Sequence, residues 1–211
     1  SSKGLRLMKK IELISKKNNH FIGCWQMENQ EIMDEIIDFF ENNPNRQEIG
    51  ISGHGKIDKE KKESIDITIM PKELSSSSFS FFIDYFKMLQ NCYWDYINDW
   101  SFLKDKWGEM YIGPFNIQKY NKSGHFKKWH TERDSISSAH RVFAWMTYLN
   151  DVKDGGSTDF KHFDISVEPK KGKTLIWPAE WTHAHRGQIV KDKKYIITGW
   201  FHFPSIDDEI K

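Results

Sequence analysis

The pattern that most constrains the fold is a series of short apolar segments in the C-terminal half of the chain. From residue 112 onwards, stretches rich in Val, Ile, Thr and aromatic residues are separated by Gly, Pro or Asn-Asp turns. Evenly spaced short strands of this kind are typical of two packed antiparallel sheets rather than of alternating strands and helices. The predicted strands are residues 115–120, 126–130, 140–149, 157–161, 163–168, 174–177, 183–188 and 194–203.

The N-terminal half reads differently, because its apolar residues recur at helical spacing. One helix is predicted from a capping Asn29 to about Asn42, and a longer one from a capping Ser78, with an aromatic stripe facing a sheet. Residues 64–70 alternate as a half-buried strand. The predicted fold class is therefore α+β, mainly β: a jelly roll, or double-stranded β-helix, with supporting N-terminal helices. We expect one domain over residues 1–211, with helical support and flanking strands in 1–110 and the jelly-roll core in 111–204.

Charge and cysteine usage exclude several classes of function. The formal net charge is +1, and the one charged run, residues 56–64, is typical of a solvated loop. We therefore expect no nucleic-acid partner and, since no run of 18 apolar residues exists, no membrane span. Cys24 and Cys92 are expected to stay reduced and buried, which predicts a cytoplasmic location.

Two short motifs offer metal ligands. His130 and Glu132 in KKWHTE lie two positions apart, so at the end of a strand both side chains point to the same face. The later HAHRG motif supplies a second imidazole, from His183 or His185, which share a face. Two His and one carboxylate form the ligand set of non-haem Fe(II) oxygenases. Each motif alone is weak, since such pairs and buried histidines are common without a metal.

The last predicted strand places unusual residues on its inner face. Lys194, Ile196, Thr198 and Trp200 alternate onto one side of that strand. A buried lysine and threonine are costly unless they have partners, and an anionic ligand inside the barrel would provide them. The alternative is that Lys194 extends into solvent at the end of the strand.

These residues occur in an order that resembles the Fe(II)/2-oxoglutarate-dependent dioxygenases, in particular the prolyl 4-hydroxylase-like branch. The resemblance covers residues from about 115 to 203, and the N-terminal 110 residues match only loosely. It includes the Tyr-Leu-Asn at 148–150, Gly155-Gly156, the Pro-x-x-Gly at 169–172 and the step of nine residues from His185 to Lys194. In the family a basic residue follows the second histidine at this spacing, which selects His185 over His183.

The resemblance implies a role for each matching position. It implies Fe(II) as the metal, 2-oxoglutarate as cosubstrate, O₂ as co-reactant and ascorbate as a possible reductant, with no catalytic side chain beyond the metal ligands. The metal ligands would be His130, Glu132 and His185; the cosubstrate residues Lys194, Thr198, Tyr148 and Tyr120; the pocket walls Met146, Trp177, Ile196 and Trp200; and the residue at the substrate entrance Arg141. The implied activity is hydroxylation of an unactivated C–H, in this branch a prolyl residue of a peptide or protein.

One departure keeps a second hypothesis open. The family has Asp where this chain has Glu132, which is one methylene longer. The alternative is a non-catalytic jelly-roll binding module with a degenerate metal site. A zinc hydrolase is a weaker hypothesis, because the chain lacks HExxH and the usual zinc-ligand spacing. Residues 50–63 and 133–139 are expected to form loops near the site that select the substrate.

Overall fold

The computed structural model describes residues 8–15, 19–52, 57–107 and 109–204. The helices are α1 (Glu31–Glu41), α2 (Ser80–Asn98) and α3 (Ser101–Lys106). The strands are β1 (Met8–Lys10), β2 (Gly23–Met27), β3 (Glu48–Ile49), β4 (Ile65–Ile69), β5 (Tyr111–Ile112), β6 (Phe115–Tyr120), β7 (Phe126–His130), β8 (Arg141–Tyr148), β9 (Thr158–Phe160), β10 (Ile165–Val167), β11 (Lys173–Pro178), β12 (His185–Gly187) and β13 (Lys194–His202).

Two antiparallel sheets face each other across the C-terminal half. The large sheet has the order β1-β2-β11-β8-β13-β6-β4-β3, with β5 paired to β13, and the small sheet has the order β10-β9-β12-β7. All strand pairs are antiparallel, as the alternating pattern of the sequence predicts. The mainly β, double-sheet prediction with few helices is confirmed.

The helices cover the outer face of the large sheet. α2 packs Phe82, Tyr85 and Leu89 into a buried cluster with Trp145 of β8. The Tyr85 hydroxyl lies 2.9 Å from Thr147 Oγ1, and Thr147 lies 2.7 Å from Thr174 Oγ1, so these three hydroxyl groups beneath the helix are paired. This face of the sheet is therefore a packed core, which fixes the strands that carry the site on the other face.

The space between the two sheets contains a cavity of about 460 Å³. A second apolar cluster, which includes Met146, Phe160 and Trp177, closes its inner end. β13 lies centrally between β8 and β6 and directs every second side chain, from Lys194 to Trp200, into the cavity. The alternation predicted for this strand is the one that the structure has.

The N-terminal half departs from the sequence prediction in detail. α1 begins after Gln30 and α2 begins after Phe79, and neither helix has a side-chain cap. The serine-rich segment before α2 forms 3₁₀ turns, so Ser78 does not cap that helix. Cys24 and Cys92 are free and buried, as expected. Residues 53–56 of the predicted loop lie outside the described residues. Among the helices that the structure describes, none is long and apolar enough to cross a membrane.

Candidate metal centre

Three predicted ligands come together at the facing ends of two strands of the small sheet. His130 ends β7, and His185 begins β12 directly opposite it in register. Glu132 follows two residues after His130, in a turn that Thr131 anchors by donating from Oγ1 to Ala179 O at 2.9 Å. Strand pairing and this turn together bring two imidazoles and a carboxylate to one point.

The ligand atoms are close enough to share one ion. One donor atom from each residue lies within 4.8 Å of the other two. Glu132 Oε1 lies 2.9 Å from His185 Nε2 and 3.9 Å from His130 Nε2. An ion about 2.1 Å from two neighbouring ligand atoms at a right angle holds them about 3 Å apart. These residues therefore fit a small divalent cation, and their donor set is the one that Fe(II) oxygenases use.

Backbone carbonyls orient both imidazoles. His130 Nδ1 lies 3.0 Å from Lys128 O, and His185 Nδ1 lies 2.9 Å from His183 O. A carbonyl oxygen only accepts, so each Nδ1 carries the proton and each Nε2 keeps its lone pair for a metal. Burial, together with the nearby His185, lowers the pKa of His130 to about 3. His130 is therefore neutral at physiological pH, as a ligand must be.

The longer carboxylate of Glu132 is held by residues of the large sheet. Trp200 Nε1 donates to Oε2 at 2.8 Å, which leaves Oε1 on the side of the histidines. Arg141 stacks its guanidinium 3.6 Å from the centre of the Trp200 ring and donates to Glu132 O at 3.0 Å. Burial alone would raise the pKa of Glu132, but the contacts with His185 and with the Trp200 N–H lower it to about 2. The carboxylate is therefore ionised.

Lys194 lies inside the same cavity, and the solvent-exposed alternative is wrong. Lys194 is 3% exposed. Its ammonium group donates to Gly156 O at 2.9 Å and lies 4.6 Å from the centre of the Tyr120 ring. Among the described residues no carboxylate pairs with it, and burial lowers its pKa to about 7. A buried cation without a counter-ion is suited to receive an anionic ligand.

The predicted wall residues line the cavity: Met146, Trp177, Ile196 and Trp200, together with Tyr120, Thr198 and Arg141. Two hydroxyl groups have other partners than predicted. Thr198 Oγ1 donates to Trp145 O at 2.9 Å, so in this rotamer it cannot donate to a carboxylate. Tyr148 does not line the cavity, since its hydroxyl lies 2.6 Å from Thr158 Oγ1 and donates to Val167 O at 3.0 Å. The direct contact predicted between Tyr148 and the cosubstrate does not fit this arrangement.

Arg141 and His183 complete the predicted set. Arg141 lines the cavity, where its guanidinium stacks on Trp200 and donates to Glu132 O, and its place at a substrate entrance stays a prediction. His183 is buried, with Nε2 2.8 Å from His20 O and Nδ1 2.9 Å from Thr182 Oγ1. Both of its ring nitrogens are engaged, so it supports the fold instead of joining the metal cluster.

Sequence reasoning missed several cavity residues. Phe126 stacks on the His130 ring with centroids 3.6 Å apart. Asp66, Asn116 and Gln118 line the outer part of the cavity from β4 and β6. The signal was present, since polar residues alternate along both strands, but nothing in the sequence tells which face of these strands is covered by helices.

Comparison with known proteins finds a family model that matches this part of the chain. Residues 115–202 match the model of the 2OG-Fe(II) oxygenase superfamily. The matched segment contains His130, Glu132, His185 and Lys194, and these residues fit Fe(II) and 2-oxoglutarate.

The chain is similar to several prolyl hydroxylases in sequence and in structure. The human prolyl 4-hydroxylase subunit alpha-1 is 24% identical over 103 residues, which cover 45% of this chain and 18% of that protein, so the chain spans a minor part of this relative. A Pseudomonas putida prolyl-4-hydroxylase structure superposes with a TM-score of 0.68 at 15% identity, over 88% of this chain and 94% of that one. A prolyl hydroxylase from Trichoplax adhaerens, in complex with a hypoxia inducible factor peptide, gives 0.67 at 12% identity, over 88% and 84%. The structures establish the shared fold.

Proposed function

We propose that this protein is an Fe(II)- and 2-oxoglutarate-dependent dioxygenase that hydroxylates a prolyl residue of a peptide or protein. The observation that carries the proposal is one cavity that holds both the His130, Glu132 and His185 cluster and the buried ammonium of Lys194. A metal site alone is compatible with many reactions. A metal site beside a buried cation without a counter-ion favours a ligand that chelates the metal and carries a distant carboxylate.

Each side chain has a defined task in this proposal. His130 and His185 would bind the metal through Nε2, because backbone carbonyls hold their Nδ1 atoms. Glu132 would bind through Oε1 while Trp200 holds Oε2. An ion held by these three residues would have positions left for cosubstrate and O₂.

Lys194 would pair with the distal carboxylate of 2-oxoglutarate, and its aromatic and aliphatic neighbours would exclude water. When bound, Fe(II) and 2-oxoglutarate supply the oxidising chemistry, in which 2-oxoglutarate becomes succinate and CO₂ and one oxygen atom reaches the substrate C–H. Trp177, Ile196 and Met146 surround the reacting centre with apolar groups, which strengthens every polar contact inside.

The substrate class rests on the open side of the cavity and on the relatives. The cavity continues past the metal cluster to β4 and to β3, which lies at the edge of the large sheet. The relatives found by sequence and by structure carry the name prolyl hydroxylase, and one of them is bound to a peptide. These features support a peptide or protein as the substrate.

The non-catalytic alternative depends on Glu132 being unable to serve as a ligand. Two contacts argue against this, because a degenerate residue would have no need of them: Trp200 donates to the Glu132 carboxylate, and Arg141 donates to the Glu132 backbone carbonyl. If the site were a relic, Glu132→Asp would stay inactive with every substrate. A gain of turnover in Glu132→Asp would instead identify an impaired enzyme.

Succinate formation tests the proposal. The full chain is incubated with Fe(II), 2-oxoglutarate, ascorbate and O₂, with and without a pool of proline-containing peptides. We expect succinate release that the peptides stimulate, and loss of this release in His185→Ala and Lys194→Met. The matched control is Lys191→Met, which removes an exposed lysine paired with Asp154 and should not change the rate. Absence of both 2-oxoglutarate binding and succinate would overturn the proposal.

A further inference from the structure

The cavity is larger than the cosubstrate needs. Its volume of about 460 Å³ lies in the range that holds a whole drug-sized ligand, whereas 2-oxoglutarate is a small diacid. Lys194 and the metal cluster account for the inner part. The outer part runs across β13 and β6 to β4 and β3, and no role has yet been given to Thr68 and Asn116, which line it.

A row of polar side chains crosses this outer wall. Thr198 of β13 pairs in register with Asn116 of β6, which pairs with Thr68 of β4, and all three line the cavity. Thr68 donates from Oγ1 to Asn116 Oδ1 at 2.7 Å, and Thr198 donates to the Trp145 carbonyl. The bond from Thr68 fixes the amide group of Asn116. Within the described residues no hydrogen bond uses its Nδ2, so two N–H donors remain for a ligand.

The next pair of cavity residues, Asp66 of β4 and Gln118 of β6, already has hydrogen-bond partners within the protein. Asp66 accepts from Lys62 at 2.6 Å and from Ser64 at 2.7 Å. Gln118 donates to Asp66 at 3.4 Å and accepts from the Tyr120 hydroxyl at 2.8 Å. Lys62 is 4% exposed, so this charge pair is neutralised inside the wall. In the described part of this wall, the free hydrogen-bond donor is therefore the neutral amide of Asn116. A neutral donor suits a carbonyl oxygen of a ligand better than it suits a charged ligand group.

The rim of the same cavity carries two exposed apolar side chains. Ile49 and Ile51 line it and remain 52% and 54% exposed. A neutral donor in the cavity wall and apolar side chains at the rim together match a chain that carries carbonyl oxygens and apolar side groups. A peptide segment has both.

We propose that Asn116 is a specificity-determining residue that donates from Nδ2 to a main-chain carbonyl of the peptide substrate, while Ile49 and Ile51 contact its apolar side chains. This inference rests on the proposed oxygenase function and adds to it a residue that reads the peptide backbone. Asn116 would favour peptides over substrates that have no amide carbonyl. Such substrates would leave both N–H groups of Asn116 without an acceptor.

Peptide binding to an isosteric variant tests this assignment. The full chain is loaded with Mn(II) and 2-oxoglutarate without O₂, and fluorescence anisotropy measures binding to a library of blocked peptides with a central proline. Asn116→Asp keeps the acceptor for Thr68 but loses both donors, so we expect the affinity for peptide relative to that for 2-oxoglutarate to fall about tenfold. Asn116→Ala should behave alike, which separates lost donors from added charge. The control, Asn91→Asp, adds the same charge at an exposed position on α2 and should bind as the wild type does.

Two results would overturn the inference without touching the proposed function. One is equal peptide affinity for the wild type and both Asn116 variants. The other is a wild type that binds 2-oxoglutarate and forms succinate but binds no peptide of the library. Failure of the wild type to bind 2-oxoglutarate would instead refute the proposed function itself. Thermal unfolding of each variant confirms that the comparison is made between folded chains.

Discussion

At the scale of single residues, Glu132 shows how one longer side chain is accommodated. An added methylene moves a carboxylate by about an ångström, and metal sites tolerate little displacement. Here Trp200 takes the outer oxygen and Arg141 fixes both the indole and the backbone of Glu132. The longer side chain of Glu132 thus reaches the large sheet, where its carboxylate accepts a hydrogen bond from Trp200.

This arrangement predicts that Trp200 sets metal affinity. Trp200→Phe keeps an aromatic ring but removes the N–H donor, so we expect Mn(II) affinity to fall about tenfold, the usual effect of losing a partner of a metal ligand. Titration followed by electron paramagnetic resonance measures it. Trp145→Phe is the control, because Trp145 Nε1 is buried without a hydrogen-bond partner among the described residues and the Trp145 ring packs against Tyr85 and Phe86 of α2.

A double substitution separates positioning from general damage. In a Glu132→Asp background the shorter carboxylate no longer serves both Trp200 and the metal, so Trp200→Phe should then cost little additional affinity. Equal losses in both backgrounds would show that the indole N–H does not position the ligand.

Replacing Lys194 should weaken 2-oxoglutarate binding and at the same time stabilise the fold. Lys194→Met removes the partner of the distal carboxylate, and we expect 2-oxoglutarate binding to be lost. The free protein should gain on the order of 2 kcal/mol near pH 7, because burial disfavours the ammonium. The lysine has a lower pKa in the folded chain than in the unfolded chain. Its cost is therefore complete below about pH 7 and disappears as the pH rises towards 10, a dependence that denaturant titrations at several pH values would detect.

The same lysine predicts how cosubstrate binding depends on pH. Its pKa of about 7 in the free protein must rise when a carboxylate pairs with it. The affinity for 2-oxoglutarate should therefore be greatest below about pH 7 and fall by up to tenfold for each pH unit above it. Calorimetric titration with Mn(II) present measures this slope. A slope that persists in Lys194→Met would assign it to another group.

The sequence predicted which side chains face the cavity better than it predicted their hydrogen-bond partners. Strand parity placed Lys194, Ile196 and Trp200 on one inner face, and the structure has them there. The hydroxyl directions of Thr198 and Tyr148 were not predictable, because they depend on the Trp145 and Val167 carbonyls of other strands. A hydroxyl rotates to its nearest strong acceptor, which sequence spacing does not specify.

At the scale of elements, the strands were predictable because their two faces differ. The predicted residues 115–120 and 126–130 coincide with β6 and β7. Five other predicted strands are one or two residues too long at one or both ends, and the predicted strand 174–177 is one residue too short at each end. Helix starts were less predictable, since neither α1 nor α2 uses a side-chain cap. The short helix α3 and the two-residue strand β5 were missed, because neither is long enough to show a period.

The turn before β9 predicts a selective effect on cosubstrate binding. Gly156 has a positive φ of 73°, and an added Cβ would lie 3.3 Å from Lys194 Cδ. Gly156→Ala should destabilise the fold by about 1–2 kcal/mol and also weaken 2-oxoglutarate binding. Gly172→Ala is the control: its φ is 79°, but its added Cβ would meet Gln26 and Met27, outside the cavity. The control should lose stability alone, as parallel unfolding and binding titrations would report.

At the scale of the whole molecule, stability and function lie on opposite faces of the large sheet. Phe82 of α2 is fully buried against Phe39 and Phe115, away from the cavity. Phe82→Ala should therefore lower the free energy of unfolding by about 3–5 kcal/mol in denaturant titrations. Metal affinity of the protein that remains folded should not change, and a parallel loss of affinity would show that the two faces are coupled.

The place of β7 at the edge of the small sheet has a consequence for the lifetime of the protein. This strand is paired on one side only, through a register shift, yet it ends in His130 and leads directly to Glu132. An ion held by both and by His185 would fasten this edge to β12. We therefore expect iron supply to govern how readily proteases cut the chain here, so that the abundance of the protein would follow the metal status of its surroundings.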